Sequence, residues 1–159
     1  MRLRTFQEEH CQVLLEILTH PEVKKTYMLP DFETKEDAIP LFRRLMDLSH
    51  NPDRFVRGIF AGEEPVGFCN DVEVQDGTIE LGYVIHPDHW GKGYATAALK
   101  LAMEELFSLG YREVVTGAFE ENPASLRVME KAGMHRLEKT DLIDYRGKQH
   151  LCIYYSKNR

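Results

Sequence analysis

Apolar positions recur along this chain with two different periods, and the change of period marks where its elements change. Val13, Leu14, Ile17 and Leu18 are spaced as one helical stripe behind Thr5 and Glu8, a pair spaced as a capping box, so a helix is expected there after a short strand over residues 2–6. Pro21 stops it. Thr34 and Asp37 repeat the box ahead of Ala38, Leu41, Phe42, Leu45 and Leu48. That second helix must end before Asn51-Pro52, because a residue preceding proline avoids the helical region. The two helices are expected to form a flap. From residue 54 the pattern shortens: segments 54–61, 64–74 and 78–86 are rich in Val, Ile, Phe and Tyr and are separated by Gly62-Glu63 and Gln75-Asp76-Gly77. They predict an antiparallel meander. Helical spacing returns over residues 90–110, with Ala95, Ala98, Leu99, Ala102, Leu106 and Leu109 on one face and Gly110 to close it. The strand at 113–119 is then reached through a helix, the connection that a parallel crossover needs. Asn122 as N-cap and Pro123 at the first helical position open a short helix that Gly133 ends, and strands 136–145 and 148–156 make a hairpin at Arg146-Gly147. The fold class is therefore α/β of the mixed, α+β-like kind, a mostly antiparallel sheet with helices on both faces.

Composition narrows the class without changing that picture. With 159 residues and 18.5 kDa, the chain has the size of one domain, expected over 1–159, and a fold of that size buries roughly 68–70% of its unfolded surface. Apolar content of 43% and charged content of 29% exclude wholesale disorder and fibrous repeats. No apolar run is long enough to cross a membrane and the N-terminal residues lack a signal-peptide pattern, so no membrane partner and a cytoplasmic location are expected. The net charge of -6, with no basic block, argues against nucleic acid and favours cationic or amine substrates. Cys11, Cys69 and Cys152 show no close pairing, and Pro87 keeps His86 and His89 off a common helix face, so neither a disulfide framework nor a metal site is expected.

The segment with chemistry in it is Glu80-Leu81-Gly82-Tyr83-Val84-Ile85-His86-Pro87-Asp88-His89-Trp90-Gly91-Lys92-Gly93-Tyr94-Ala95-Thr96. A strand leads to two glycines around Lys92, and a helix follows at once. Glycines let backbone amides approach a phosphate, and a helix start adds unpaired N–H donors and partial positive charge. A tight turn without a ligand has the same pattern, so the loop alone leaves both readings open. Walker-type binding is excluded because no Gly-x-x-x-x-Gly-Lys-Ser/Thr is present, and Thr96 occupies the third-glycine position of a dinucleotide fingerprint.

What remains resembles the GNAT superfamily of acetyl-CoA-dependent N-acetyltransferases, whose pyrophosphate loop reads Arg/Gln-x-x-Gly-x-Gly/Ala. Here that loop is Asp88-His89-Trp90-Gly91-Lys92-Gly93, with Asp88 departing from the usual Arg or Gln. Asn122-Pro123-Ala124-Ser125-Leu126-Arg127-Val128-Met129-Glu130-Lys131-Ala132-Gly133 is similar to the second cofactor motif of the family. Trp90, Tyr94-Ala95-Thr96 and Ser125 look like the RimJ/RimL branch, which is associated with acetylating protein N-termini. The resemblance implies that acetyl-CoA binds through the backbone of Trp90, Gly91, Lys92, Gly93, Tyr94 and Ala95, with pantetheine alongside Val84 and Ile85 as an added pseudo-strand, and that Asn122 and Ser125 join the same ligand. Many GNAT enzymes carry a tyrosine where this chain has Met129, and the resemblance makes Ser125 the substitute acid. Glu80, on the strand feeding the loop, is the candidate base for the amine, and His86 ranks behind it. The expected activity is acetyl transfer to a primary amine, a peptide N-terminus or a small amine, by direct attack. A non-catalytic acyl-CoA-binding module is the alternative, and either would be a monomer or homodimer. A phosphate-binding protein unrelated to CoA is a third reading.

Overall fold

The computed structural model describes residues 1–159. Its strands are β1 (Arg2–Arg4), β2 (Val56–Ala61), β3 (Glu64–Gln75), β4 (Thr78–Ile85), β5 (Glu113–Phe119), β6 (His135–Tyr145) and β7 (Lys148–Asn158), and its helices are α1 (Cys11–Thr19), α2 (Pro21–Lys24), α3 (Ile39–Ser49), α4 (Tyr94–Ser108) and α5 (Pro123–Lys131). The strands form a seven-stranded mixed sheet in the order β1-β2-β3-β4-β5-β7-β6. The crossover through α4 makes β4 and β5 parallel, and the β1–β2, β2–β3, β5–β7 and β6–β7 pairs are antiparallel. The hairpin turns have the chemistry their positions demand: Asp76 and Gly77 have φ of 52° and 81°, Arg146 and Gly147 of 53° and 74°. Two consecutive left-handed residues match the right-handed twist of the flanking strands.

The chain divides into two compact units. The first comprises Met1–Asn70 with Tyr83–Ala98, and the second Asp71–Gly82 with Leu99–Arg159. In the first unit, Leu14, Leu15, Ile17 and Leu18 of α1 and Phe42 and Leu45 of α3 share one buried cluster with Phe6, Val56, Phe68 and Val84. The helices expected as a flap are thus a core layer, since their apolar stripes have strand residues to bury against. The Thr34–Asp37 box forms as expected, each backbone N–H donating to the other's side chain at 3.0 and 3.3 Å. The Thr5–Glu8 box does not. A 3-10 turn over Glu8–His10 precedes α1, and the His10 imidazole accepts the Gln7 amide at 2.9 Å. Gly67 on β3 is required by a close approach, because a Cβ there would fall on the Val84 carbonyl oxygen of β4.

In the second unit one sheet face carries a cluster drawn from strands alone: Phe119, Cys152 and Tyr154 with Val115, Leu137, Ile143 and Tyr145. Gly117 lies among them, where an added Cβ would sit 2.8 Å from the Tyr154 ring and 2.9 Å from Cys152 Sγ. Helix α5 starts at its capping asparagine and ends as Gly133 predicts: Gly133 N–H donates to the Glu130 carbonyl and Met134 N–H to that of Met129, with Gly133 at φ 85°. This is a Schellman ending.

Candidate active site

The strand-to-helix loop of the first unit is built by a series of local constraints. His86 ends β4, with its N–H donating to the Val66 carbonyl at 2.8 Å. Its Nδ1 accepts the Asp88 amide at 3.1 Å, capping a 3-10 turn over Pro87–His89. Trp90 then runs extended, and its indole N–H donates to the Ile85 carbonyl at 2.8 Å, folding the loop back over the strand end while 52% of the residue stays exposed. Gly91 and Gly93 both sit at φ 77°, and nothing lies within 4 Å of where a Cβ would be on either. Helix α4 therefore begins at Tyr94, after the second glycine, and not at residue 90 as its apolar spacing suggested. The glycines serve the backbone turn and leave open space above it, the cradle an anionic group needs.

His86, the rival base, is engaged on both ring nitrogens: Nε2 lies 3.4 Å from Glu16 Oε2, and the ring packs edge-on against His20 at 5.6 Å. Through the Asp88 amide it holds the first turn of the loop in place. Asp88, which departs from the family's Arg or Gln, has a largely exposed side chain. Lys92 Nζ lies 5.9 Å from the centre of the Tyr94 ring. Val84 and Ile85 are buried at the end of β4. The parallel ladder from β4 to β5 covers three pairs, from Thr78–Glu113 to Glu80–Val115, and does not extend to Val84 and Ile85. No group of three His, Cys, Asp or Glu is arranged to hold a metal.

In the second unit Glu80 is paired in register with Val115 on the face that carries Tyr154 and Cys152. Burial raises its pKa, as do the neighbouring carboxylates Glu73 and Asp141, while Lys139 opposes them. Around it a set of side chains is tied together. The Tyr154 hydroxyl donates to Asp141 Oδ2 at 2.9 Å, Lys139 Nζ stands 4.7 Å over the Tyr154 ring, and Asp141 pairs in register with Cys152. Burial and the hydrogen bonds with Cys152 and Asp141 push the Tyr154 phenol well above its usual range, so it remains a neutral donor. Also in this unit, Asn122 Oδ1 accepts the Ser125 amide at 3.3 Å. Ser125 is half-buried in the first turn of α5, whereas Met129, one turn on, is 0% exposed.

Comparison with known proteins gives this geometry its family. Residues 1–135 match the family model described as an acetyltransferase (GNAT) domain. The chain belongs to the GNAT acetyltransferase family. Its members are acetyl-CoA-dependent N-acetyltransferases, so the reading as a non-catalytic acyl-CoA module gives way to an enzyme. The chain is 26% identical over 141 residues to the N-acetyltransferase p20 of Bacillus licheniformis, a protein described as uncharacterized, covering 86% of this chain and 79% of that one. A crystal structure of a GNAT-family acetyltransferase from Bacillus anthracis superposes with a TM-score of 0.82 at 25% identity, covering 98% and 93% of the two chains. RimL, the ribosomal L7/L12 alpha-N-protein acetyltransferase, solved with coenzyme A, shares the fold at a TM-score of 0.85 and 18% identity over 98% and 92% of the chains.

Sequence reading missed Asp141, Lys139, Cys152 and Tyr154 as neighbours of Glu80 in this GNAT chain. Alternation along the last hairpin was the available signal, since 139 and 141 share one face and so do 152 and 154. It does not say which strand lies beside the hairpin. Counting back from the turn pairs Asp141 with Cys152, and the register shifts only beyond Thr140, where Arg136 pairs with Tyr155; what the pattern of the hairpin does not carry is that β5 joins its face to that of Glu80.

Proposed function

We propose that this GNAT enzyme moves the acetyl group of acetyl-CoA to a primary amine, a peptide N-terminus or a small amine, by direct attack, with residues 1–159 acting as one catalytic domain. The observation that carries the acceptor reading is Glu80, a half-buried carboxylate with an upward-shifted pKa on a strand-only face with Tyr154 and Asp141. An alkyl ammonium must lose a proton before its nitrogen lone pair can attack, and a carboxylate shifted toward neutrality is the better proton acceptor. Glu80 takes that proton through water, and the surrounding negative charge favours the arriving cation.

Acetyl-CoA supplies an activated thioester and a thiolate leaving group. The backbone of Trp90, Gly91, Lys92, Gly93, Tyr94 and Ala95 receives the pyrophosphate, supported by the open left-handed glycines and the start of α4. Val84 and Ile85 offer pantetheine a strand edge, which the short β4–β5 ladder supports. Asn122 spends its carbonyl oxygen on the Ser125 amide, which leaves its NH₂ to donate to the ligand. As the amine nitrogen bonds the carbonyl carbon and the carbon–sulfur bond breaks, the Ser125 hydroxyl gives its proton to sulfur and regains one from solvent. Three free cysteines suit a reducing cytoplasm.

An acetyl-transfer screen over N-terminal peptides, polyamines and aminoglycosides, followed by release of free thiol, tests the proposal. Turnover with one amine class assigns the acceptor. Acetyl-CoA binding without thiol release on any amine would overturn it.

A further inference from the structure

Among the buried titratable groups that acetyl transfer does not use is His150 on β7, which is held at both ring nitrogens. Its Nδ1 meets Glu121 Oε1, and its Nε2 lies 3.1 Å from the Tyr145 carbonyl oxygen. A carbonyl oxygen only accepts, so Nε2 carries a hydrogen. Glu121 is a partly exposed carboxylate, ionised at neutral pH and able only to accept, so Nδ1 carries a hydrogen as well, and that hydrogen bond holds the Glu121 carboxyl below its usual range. Only the doubly protonated ring satisfies both contacts. The Phe119 ring stacks on the imidazole at 4.3 Å and 16°, an arrangement that favours a cation.

Glu121 stands immediately before the cap of α5. The turn there is closed by Asn122 N–H donating to the Phe119 carbonyl at 2.9 Å and Glu120 N–H to that of Leu151 at 2.8 Å. The Asn122 side chain then accepts the Ser125 amide, and the Asn122 backbone carbonyl accepts that of Leu126 at 3.4 Å. We propose that His150, as an imidazolium, is a positioning residue that fixes Glu121 and through it the first turn of α5 with Asn122 and Ser125, so that this turn loosens when the ring loses a proton. Its importance for catalysis rests on the reading above that Asn122 and Ser125 serve the acetyl donor. The groups facing the ring are Glu121 on the turn, Tyr145 on β6 and the uncharged Phe119 on β5, with Lys148 at the start of β7 acting on Glu121. A ring with one proton donates once, which leaves either Glu121 or the Tyr145 carbonyl facing a nitrogen lone pair.

The test uses the full chain. Nitrogen-15 NMR at about pH 6 should find protons on both ring nitrogens of His150. Across the titration of that ring, exchange protection of the Ser125 and Leu126 amides, corrected for intrinsic rates, should fall about fivefold, and CoA binding by calorimetry should weaken by a similar factor. His150→Gln, and separately Glu121→Gln, should abolish that pH dependence while remaining folded. A single proton on the ring at about pH 6, or wild-type α5 protection that ignores the ring's titration, would overturn the proposal. If no CoA binding is found at any pH, the site reading falls, and the ring spectrum and amide exchange still decide the positioning role.

Discussion

The glycine loop makes the sharpest forecast, because the structure provides its own control. Gly93 has φ 77° and nothing within 4 Å of an added Cβ, and Gly62, in the β2–β3 turn, has φ 63° and equally empty surroundings. A residue with a side chain pays about 1–2 kcal/mol for the left-handed conformation, and a β-branched one is least tolerant of it. With no neighbouring protein atoms to clash or to pack, Gly93→Val and Gly62→Val should lose similar stability. For a chain of this size that is a fall in Tm of about 2–8 °C, readable by calorimetry. Their effects on CoA should separate. At Gly93 the new side chain occupies the space assigned to the pyrophosphate and pulls the amides away from it, so Kd should rise more than tenfold, about 1.4 kcal/mol or more. Gly62→Val should bind CoA as the wild type does. Equal CoA affinity in the two variants would refute the cradle, whatever their stabilities.

Three other substitutions probe separate parts of the chain. Ser125→Ala should lower kcat by about 10²-fold with little effect on acetyl-CoA binding, and steady-state kinetics with unchanged kcat would reduce the serine to a first-turn residue. Glu80→Gln should lower kcat and suppress the acidic limb of the rate profile. Because the folded pKa of Glu80 is raised, its contribution to stability is present below the ordinary carboxylate range and lost as pH rises through the folded value. The same variant should therefore melt higher than wild type near neutral pH, with the gap closing in acid, and a lower Tm at neutral pH would contradict this. Gly67→Ala, whose Cβ would fall on the Val84 carbonyl oxygen, should destabilise by about 3 kcal/mol or fail to fold, as denaturant unfolding would show.

Elements with strong local signals were legible from the sequence. The Thr34–Asp37 box, the Asn122-Pro123 start, the Gly133 ending and the Asp76-Gly77 and Arg146-Gly147 turns are fixed by neighbours within a few residues, and all form. Where a tertiary contact decides, local reading failed. Glu8 has the spacing of a capping partner, but His10, buried against Phe60 at 5.0 Å, takes the role. The start of α4 moved to Tyr94 because the glycines must be left-handed to complete the loop, and helical spacing in Trp90 and its neighbours does not register that demand. The pattern of the pyrophosphate loop could be read because it is contiguous. The surroundings of Glu80 could not, because they come from β3, β5, β6 and β7, strands that only the sheet order brings to one face.

The same surroundings bear on why a chain with Met129 in place of the family tyrosine can still be an acetyltransferase. A thiol has a pKa of about 8.5, so at pH 7 a departing thiolate takes its proton downhill by about 2 kcal/mol, and the acid has little to supply. The amine is the harder side. An alkyl ammonium with a pKa of about 10.4 costs about 4.6 kcal/mol to deprotonate at pH 7, while an α-amino group with a pKa of about 7.8 costs about 1 kcal/mol. On the proposed reading, the raised carboxylate of Glu80 supplies the group that the energetics require. The demand on that carboxylate depends on the acceptor. Glu80→Gln should therefore be more damaging with polyamines than with N-terminal peptides, and a loss of kcat equal for both would mean that Glu80 attracts the acceptor's charge without taking its proton.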